Sequence, residues 1–261
     1  MIKLIASDID GTLVSDGEHR LDPEYYDVIL KLRGKGIQFA AASGRQWASI
    51  EAVFEPVKEK VFYLSDNGAY VGCHGRNLFL NPIERETALE LIRAIRRIPG
   101  LEVLVGGPDV VYADTKNQEF LDLLVRGYRF QVKQVEDVTG IEDHIIKVSA
   151  YRTHNIQEAV EGLIGQFGDR MKMTISGDWW MDAMAPGVCK GQAVRVLQDN
   201  LDIKPEETMV FGDQMNDLEM FDQAYYSFAV ANAREEVKKA ARFQADSNVN
   251  RGVLKVLKQL L

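Results

Sequence analysis

The chain has 261 residues, of which 46% are hydrophobic and 27% charged, a composition that fits a globular protein and excludes a disordered one. Its formal net charge of −8 repels nucleic acid and anionic membranes, so neither is an expected partner. Cys73 and Cys189 are too few and too far apart for a disulfide framework or a zinc cluster. No stretch resembles a signal peptide or a bilayer span, and we expect a cytoplasmic protein.

The first predicted strand ends in two acids. Residues 4–6 form an apolar run typical of a strand that is buried on both faces. Asp8 and Asp10 follow, and they point the same way if the strand geometry persists, because side chains alternate along a strand. Gly11 permits a sharp turn immediately afterwards. Alone, this pattern is more typical of a strand closed by an Asx turn than of a site, so the rest of the chain must decide.

Helices and strands then alternate. Asp22 and Pro23 predict the start of a helix, and Gly34 and Gly36 predict its end. The next predicted elements are a strand at 37–42, a helix and a strand at 61–64. The final third repeats this pattern, with helices near 191–201 and 217–221, the strands "TMVFG" and "YSFAV", and two more helices. The alternation predicts a Rossmann-like α/β core with a parallel sheet.

A second unit interrupts this core. Between residues 81 and 185 the pattern changes to helices near 84–97, 118–127 and 156–167 that are interleaved with four strand-like segments. We therefore predict an α+β domain at 81–185 inserted into a core made of 1–80 and 186–261. Trp179 and Trp180 are typical of core packing rather than of a ligand contact, whereas Asp182 fits a substrate contact and a hinge hydrogen bond equally well. The four histidines, His19, His74, His144 and His154, have no ligand-like spacing.

Three polar clusters follow predicted core strands: "SGR" at 43–45, "SDNG" at 65–68 and "GDQMND" at 212–217. In open α/β sheets, ligands bind beyond the carboxyl ends of the strands, so these clusters and the Asp8/Asp10 pair are expected to converge. Alone, Asp213 and Asp217 are typical of a helix N-cap and a first-turn acid. Beside Asp8, however, they form a set of acids that would repel one another without a cation.

Magnesium suits such a set of acids, because Mg²⁺ prefers carboxylate oxygens, water and a substrate phosphate. A phosphate beside carboxylates also has to be neutralised, and Lys190 and the metal, together with a hydrogen bond from Ser43, fit that role. By itself Lys190 is typical of a solvated surface lysine. Arg45 directly follows a glycine and suits phosphate or carboxylate recognition, although it fits a surface residue equally well.

The motifs "DIDGTL", "SGR", "CKG" and "GDQMND" occur in the order of the four motifs of the haloacid dehalogenase superfamily, which the sequence resembles. "DNGA" at 66–69 also resembles a signature of the Cof-type phosphatases within that superfamily. The position of the insert, between the second and third motifs, resembles that of the large cap domain of Cof-type enzymes, which closes over the active site and selects the leaving group.

The resemblance implies a Mg²⁺-dependent phosphatase that acts on a small phosphorylated metabolite through an aspartyl-phosphate intermediate. It implies that Asp8 is the nucleophile and that Asp10 is the general acid and then the base. The implied phosphate- or substrate-binding residues are Thr12, Ser43, Gly44, Arg45, Asn67, Lys190 and Asn216. The implied metal ligands are Asp8, Asp10, Asp213 and Asp217.

Two alternatives use the same core. A phosphotransferase or phosphomutase would pass the phosphoryl group to a sugar hydroxyl, and a non-catalytic binding module would keep only the fold. A dehalogenase is disfavoured, because relatives of that kind lack the second acid, here Asp10. Of the two acids we expect Asp8, as the one nearer the metal and Lys190, to ionise first. The identity of the metabolite and the oligomeric state are left open.

Overall fold

The computed structural model describes residues 1–15, 20–73 and 75–261. His19 and His74 lie outside these residues. The described chain divides into two compact units, one made of Met1–Phe79 with Cys189–Leu261 and the other of Leu80–Val188. No helix in the described ranges has the length and apolar character to cross a membrane.

The strands of the described residues are β1 (Leu4–Asp8), β2 (Gln38–Ala42), β3 (Val61–Ser65), β4 (Tyr70–Cys73), β5 (Arg76–Leu80), β6 (Glu102–Gly106), β7 (Val111–Ala113), β8 (Val132–Gln134), β9 (Lys147–Tyr151), β10 (Lys172–Ser176), β11 (Trp180–Met184), β12 (Thr208–Gly212), β13 (Tyr226–Val230) and β14 (Phe243–Ala245). The α-helices are α1 (Pro23–Gly34), α2 (Trp47–Val53), α3 (Arg85–Ile95), α4 (Gln118–Asp122), α5 (Ile156–Phe167), α6 (Lys190–Leu201), α7 (Leu218–Phe221), α8 (Glu235–Ala240) and α9 (Gly252–Lys258). A wider π-type turn continues α4 through Leu123–Gly127.

The first unit contains a sheet in the order β14-β13-β12-β1-β2-β3-β4-β5. Neighbouring strands from β14 to β3 are parallel, as the alternating pattern predicts. All five residues of β1 and of β12 are buried, which explains why both strands read as continuous apolar runs. Because β1 lies between β12 and β2, the polar residues that follow these three strands meet at one edge of the sheet.

Local signals account for the elements around this edge. Asp22 caps α1 by accepting a hydrogen bond from the Glu24 N–H, and Pro23 occupies the first turn. The antiparallel strand β4, the adjoining β5 and the short strand β14 were not predicted from the sequence. β4 and β14 have only four and three residues, and β5 begins with two polar residues, so none of them carries a pattern long enough to predict a strand.

The second unit has its own sheet, in the order β10-β11-β9-β6-β7-β8, with antiparallel pairing except between β7 and β8. An aromatic cluster packs within this unit: the Trp180 ring lies 4.8 Å from the Tyr151 ring, and its indole N–H donates to the Tyr128 hydroxyl at 2.9 Å. The predicted core packing is therefore correct for Trp180 and wrong for Trp179, which is 46% exposed. Asp182 accepts a hydrogen bond from the Ser149 hydroxyl on the neighbouring strand β9.

Candidate active site

The motif residues stand at the ends of the central parallel strands. Asp8 is the last residue of β1, Ser43 follows β2, and Asp213 follows β12. Lys190 is the first residue of α6, whose N-cap is Cys189; the thiol of Cys189 accepts a hydrogen bond from the Gln192 N–H. The first unit therefore brings the four predicted motifs to one edge of its sheet.

Lys190 links two of the acids. Its ammonium donates to Oδ1 of Asp8 at 2.5 Å and to Oδ1 of Asp217 at 2.7 Å. The Lys190 side chain is only 1% exposed, so it is a buried charge held by two carboxylates and not the solvated surface lysine that is typical of proteins. This arrangement holds a positive charge directly against Asp8.

Asp217 also organises the loop that carries Asp213. Its Oδ2 accepts hydrogen bonds from the backbone N–H groups of Asp213 and Gln214, each at 2.9 Å. Both carboxylate oxygens of Asp217 are therefore engaged, one by these N–H groups and the other by Lys190. The prediction of Asp217 as a first-turn acid therefore describes only part of its role.

Asp213 faces the turn that follows Asp8. The Thr12 hydroxyl donates to Asp213 Oδ1 at 2.6 Å, and the Gln214 amide donates to Oδ2 at 3.0 Å. Gly11 has φ of +82°, and a Cβ at this position would lie 2.4 Å from Asp213 Oδ2. A glycine is therefore required twice over, by the backbone conformation and by the close approach of the carboxylate.

Burial is the largest single effect on the pKa values of Asp8, Asp213 and Lys190. Burial raises the pKa of Asp8 well above its usual value, against the attraction of Lys190 and with repulsion from Asp217 and Asp213. Burial raises the pKa of Asp213 too, against the hydrogen bond from Thr12. Burial alone would lower the pKa of Lys190, but the carboxylates of Asp217 and Asp8 outweigh it and raise that pKa.

The expectation that Asp8 ionises before Asp10 assumed a bound metal, and it stays a prediction; in the protein without a cation, burial opposes the ionisation of Asp8. A count of neighbouring charges misses the cost of removing a carboxylate from water, and that cost is the largest effect on Asp8. When all three carboxyl groups are ionised, the single ammonium of Lys190 leaves two negative charges without compensation. One oxygen from each of Asp8, Asp213 and Asp217 lies within 4.8 Å of the others, so this donor set fits a divalent cation.

Asp10 stands apart from this cluster. It lies beyond the end of β1, where it forms a bridge with Val14, and its side chain is 34% exposed. The guanidinium of Arg45 donates to both of its oxygens, with Nε 2.8 Å from Oδ2. The predicted role of Asp10 as a metal ligand and that of Arg45 as a substrate ligand both stay predictions, because these two side chains bind each other.

Two amide side chains complete the edge of the sheet. The Asn216 amide donates to Asn67 Oδ1 at 3.0 Å, and Asn67 adopts a left-handed conformation with φ of 55°. A Cβ on Gly44 would lie 3.3 Å from both terminal atoms of the Asn67 amide. The Ser43 hydroxyl accepts from the Arg45 N–H at 3.1 Å. The predicted substrate residues of the second and fourth motifs and of the "DNGA" segment are therefore neighbours.

A family profile described as haloacid dehalogenase-like hydrolase matches residues 5–257. The chain belongs to this family. The Escherichia coli protein named 5-amino-6-(5-phospho-D-ribitylamino)uracil phosphatase YbjI is 29% identical over 261 residues, which cover 100% of this chain and 96% of the relative. Phosphatase YwpJ of Bacillus subtilis is 25% identical and covers 100% of both chains. A solved structure from Eubacterium rectale has a TM-score of 0.94 and 36% identity, and it covers 100% of this chain and 99% of the other.

These similarities confirm three predictions from the sequence. The hydrolase belongs to the superfamily whose motifs it resembles, it has the α/β fold with a parallel-sheet core, and it is an enzyme of the phosphatase type. Sequence reasoning missed Gln214 and Asn232, which hold Asp213 and Gly11 respectively. Gln214 is inside a motif and was open to notice, whereas Asn232 is far from Gly11 in sequence and carries no local signal.

Proposed function

We propose that this hydrolase is a Mg²⁺-dependent phosphatase that removes the phosphoryl group of a small phosphorylated metabolite through a phosphorylated Asp8. The observation that carries the proposal is the position of the Asp8 carboxylate, which is buried at the end of β1 against the ammonium of Lys190. A carboxylate nucleophile needs nearby positive charge to approach a phosphate dianion, and Lys190 supplies it. Asp217 keeps that ammonium in place from the other side.

The reaction takes place in two steps. In the first, an Asp8 oxygen forms a bond to phosphorus, the ester P–O bond breaks, and Asp10 gives a proton to the departing alkoxide. In the second, Asp10 takes a proton from water as the water attacks the phosphorus of phosphorylated Asp8, which releases phosphate and restores both acids. Arg45 binds both oxygens of Asp10 in the carboxylate form, which is the base of the second step, and one of these two hydrogen bonds opens when Asp10 carries the proton of the first step. Ser43, Gly44, Thr12, Asn67 and Asn216 are the proposed phosphate and substrate contacts.

Asp8, Asp213 and Asp217 would hold the Mg²⁺ ion, with Asp10 as a further predicted ligand. When bound, the cation neutralises carboxylates and phosphate oxygens, which lowers the repulsion between them. Thr12 and Gln214 contribute by fixing the two oxygens of Asp213. Lys190 would share Asp8 and Asp217 with the ion, so the protein itself would supply one of the positive charges.

A substrate panel with and without chelator tests this function. We include 5-amino-6-(5-phospho-D-ribitylamino)uracil because the relative from E. coli is named for that compound, together with phosphosugars, nucleotides, pyridoxal phosphate and flavin mononucleotide. We expect Mg²⁺-dependent release of inorganic phosphate from one class of these compounds. Turnover that excess chelator leaves undiminished would contradict the metal assignment.

A phosphotransferase or mutase is the alternative enzyme. In ¹⁸O-labelled water a phosphatase incorporates label into the released phosphate, whereas a transferase delivers an unlabelled phosphoryl group to a sugar hydroxyl. A non-catalytic binding module would bind members of the panel without turning any over. The ¹⁸O and panel experiments therefore separate all three.

We also propose that the second unit is the inserted domain predicted at 81–185 and that it selects the substrate. It has a separate sheet and its own buried cluster around Leu104, Phe120 and Tyr151, as an independent domain requires.

If the second unit selects the substrate, Asp182→Asn should change the order in which the panel compounds rank by KM. Turnover of a small aryl phosphate should stay close to that of the wild type, because Asp182 is not a proposed reacting group.

A further inference from the structure

One asparagine outside the four motifs connects the turn after Asp8 to the segment that follows β14. The Asn232 amide nitrogen donates to the carbonyl oxygen of Gly11 at 2.7 Å. Its amide oxygen accepts from the backbone N–H of Asn248 at 3.0 Å. Only one orientation of the amide satisfies both partners, because a carbonyl accepts and an N–H donates.

The turn that Asn232 contacts carries Asp10 and Thr12. Within it, the Gly11 N–H donates to the Val14 carbonyl at 2.8 Å, and the Leu13 and Val14 N–H groups donate to the Ile9 carbonyl at 2.9 and 3.0 Å. The Gly11 carbonyl accepts its hydrogen bond from outside the turn, from the Asn232 amide. The Asn248 amide adds a longer contact of 3.3 Å to the Val14 carbonyl.

The segment that carries Asn232 also supports Asp213. This segment follows β13, and two residues after Asn232 the backbone N–H of Arg234 donates to the Asp213 carbonyl at 3.1 Å. The same short loop thus binds the turn of Asp10 through a side chain and the loop of Asp213 through the backbone. Thr12 then joins these two segments directly through its bond to Asp213.

We infer that Asn232 is a positioning residue, which fixes the Gly11 peptide so that Asp10 and Thr12 keep the orientation that the reaction needs. Gly11 is bonded to Asp10 on one side and to Thr12 on the other. It has a left-handed backbone conformation, and its carbonyl points at the Asn232 amide. Without the amide, the carbonyl turns to water, and the turn is free to rotate Asp10 away from its bond with Arg45. This inference rests on the proposed function, because it assigns to Asp10 the role of proton donor.

The test compares Asn232→Ala and Asn232→Asp with the matched control Asn200→Ala. Asn200 also donates from its amide to one backbone carbonyl, that of Val196 at 2.7 Å, but it does so on the exposed surface of α6. Asn232→Asp keeps the shape and the acceptor for Asn248 but places an oxygen against the Gly11 carbonyl, so its effect should equal or exceed that of Asn232→Ala.

For Asn232→Ala we expect kcat on an alkyl phosphate to fall by about five-fold or more, the size of one ordinary hydrogen bond. The fall should be smaller on an aryl phosphate, whose leaving group needs little protonation, and KM should change little. Amide hydrogen exchange in a peptide covering residues 9–15 should be faster than in the wild type and in Asn200→Ala. Hydrogen exchange that is unchanged from the wild type would overturn the inference. Faster exchange would overturn it too if kcat is unaltered, or if kcat falls equally for both phosphates.

Failure of the proposed function gives a different result. If the wild type turns over neither phosphate, the catalytic assignment of Asp10 is wrong. Two other measurements then test whether Asn232 positions the turn: amide hydrogen exchange, and the affinity for Mg²⁺ measured by calorimetry. Faster exchange at 9–15 with weaker Mg²⁺ binding in Asn232→Ala would still support positioning through Thr12 and Asp213. If both readouts match Asn200→Ala, Asn232 has no positioning role.

Discussion

Arg45 donates hydrogen bonds to both carboxylate oxygens of Asp10. A planar guanidinium that contacts a carboxylate at two points fixes the direction of that side chain as well as its place. Arg45 comes from the segment after β2 and Asp10 from the turn after β1, so the pair ties two motifs together. The proposed proton donor is thereby held outside the cluster of Asp8, Asp213 and Asp217.

Arg45→Lys should separate orientation of Asp10 from binding of substrate. A lysine keeps the charge but contacts Asp10 at one point, and we expect kcat on an alkyl phosphate to fall by about ten-fold, with a smaller loss on an aryl phosphate. Arg170→Lys, which changes an exposed pair with Glu90 in the second unit, is the control and should leave kcat unaltered. A rise in KM for both phosphates with kcat unchanged would instead make Arg45 a substrate ligand.

Asp213→Asn should remove cation binding without destabilising the metal-free protein. In chelator, the substitution removes one acid from the buried cluster of Asp8, Asp213 and Asp217, which lowers the repulsion within it. The melting temperature of the variant should therefore equal or exceed that of the wild type. Added Mg²⁺ should raise the melting temperature of the wild type but not that of the variant. The assignment of Asp213 as a ligand fails if Mg²⁺ stabilises both proteins equally.

Asp8→Asn should reveal the cost of burying the Asp8 carboxylate. Burial raises the pKa of Asp8 above the ordinary 3.8, so the metal-free folded protein keeps a proton that the unfolded chain releases. The stability of the wild type should therefore fall relative to the variant as pH rises from 3.8 towards the raised pKa, and below 3.8 the difference should no longer change with pH. Urea unfolding in chelator across this pH range measures the free energy of unfolding of both proteins. A difference between them that shrinks as pH rises would contradict the predicted sign.

Mg²⁺ binding should weaken as pH falls, for the same reason. Burial raises the pKa of both Asp8 and Asp213, so a cation has to displace protons from carboxyl groups at acidic pH. Calorimetry in buffers of different ionisation enthalpy should detect proton release on binding, and the release should decrease at higher pH. Binding that neither depends on pH nor releases protons would place the cation elsewhere.

Gly11→Ala and Gly36→Ala form a matched pair. Both glycines have φ of +82°, so both substitutions incur the same backbone strain, about 1 to 2 kcal/mol. A Cβ at Gly36 meets nothing within 4 Å, whereas at Gly11 it would lie 2.4 Å from Asp213 Oδ2. We expect both variants to lose similar stability from strain, but only Gly11→Ala to lose Mg²⁺ affinity and turnover as well. Equal activity of the two would show that the contact with Asp213 is unimportant.

The sequence predicted the parts of the structure that have local causes. The cap of Asp22 and Pro23 on α1 and the buried runs of β1 and β12 each act within a few residues, and the strand ends then bring Asp8 and Asp213 together. Pairings between distant segments could not be predicted in this way. The pairing of Arg45 with Asp10 and of Asn232 with Gly11 depends on how separate loops pack, and the high pKa of Asp8 depends on burial that only the folded protein creates.

The most direct test of the central claim is to trap the phosphoryl group on Asp8. Asp10→Asn lacks the base for the second step, so incubation with an aryl phosphate and Mg²⁺ followed by acid quenching should accumulate phosphoenzyme. Peptide mass spectrometry should find one phosphoryl group on Asp8, labile to hydroxylamine and absent from Asp8→Asn. Release of phosphate in a burst with no phosphorylated Asp8, or with the phosphoryl group on another residue, would contradict the account.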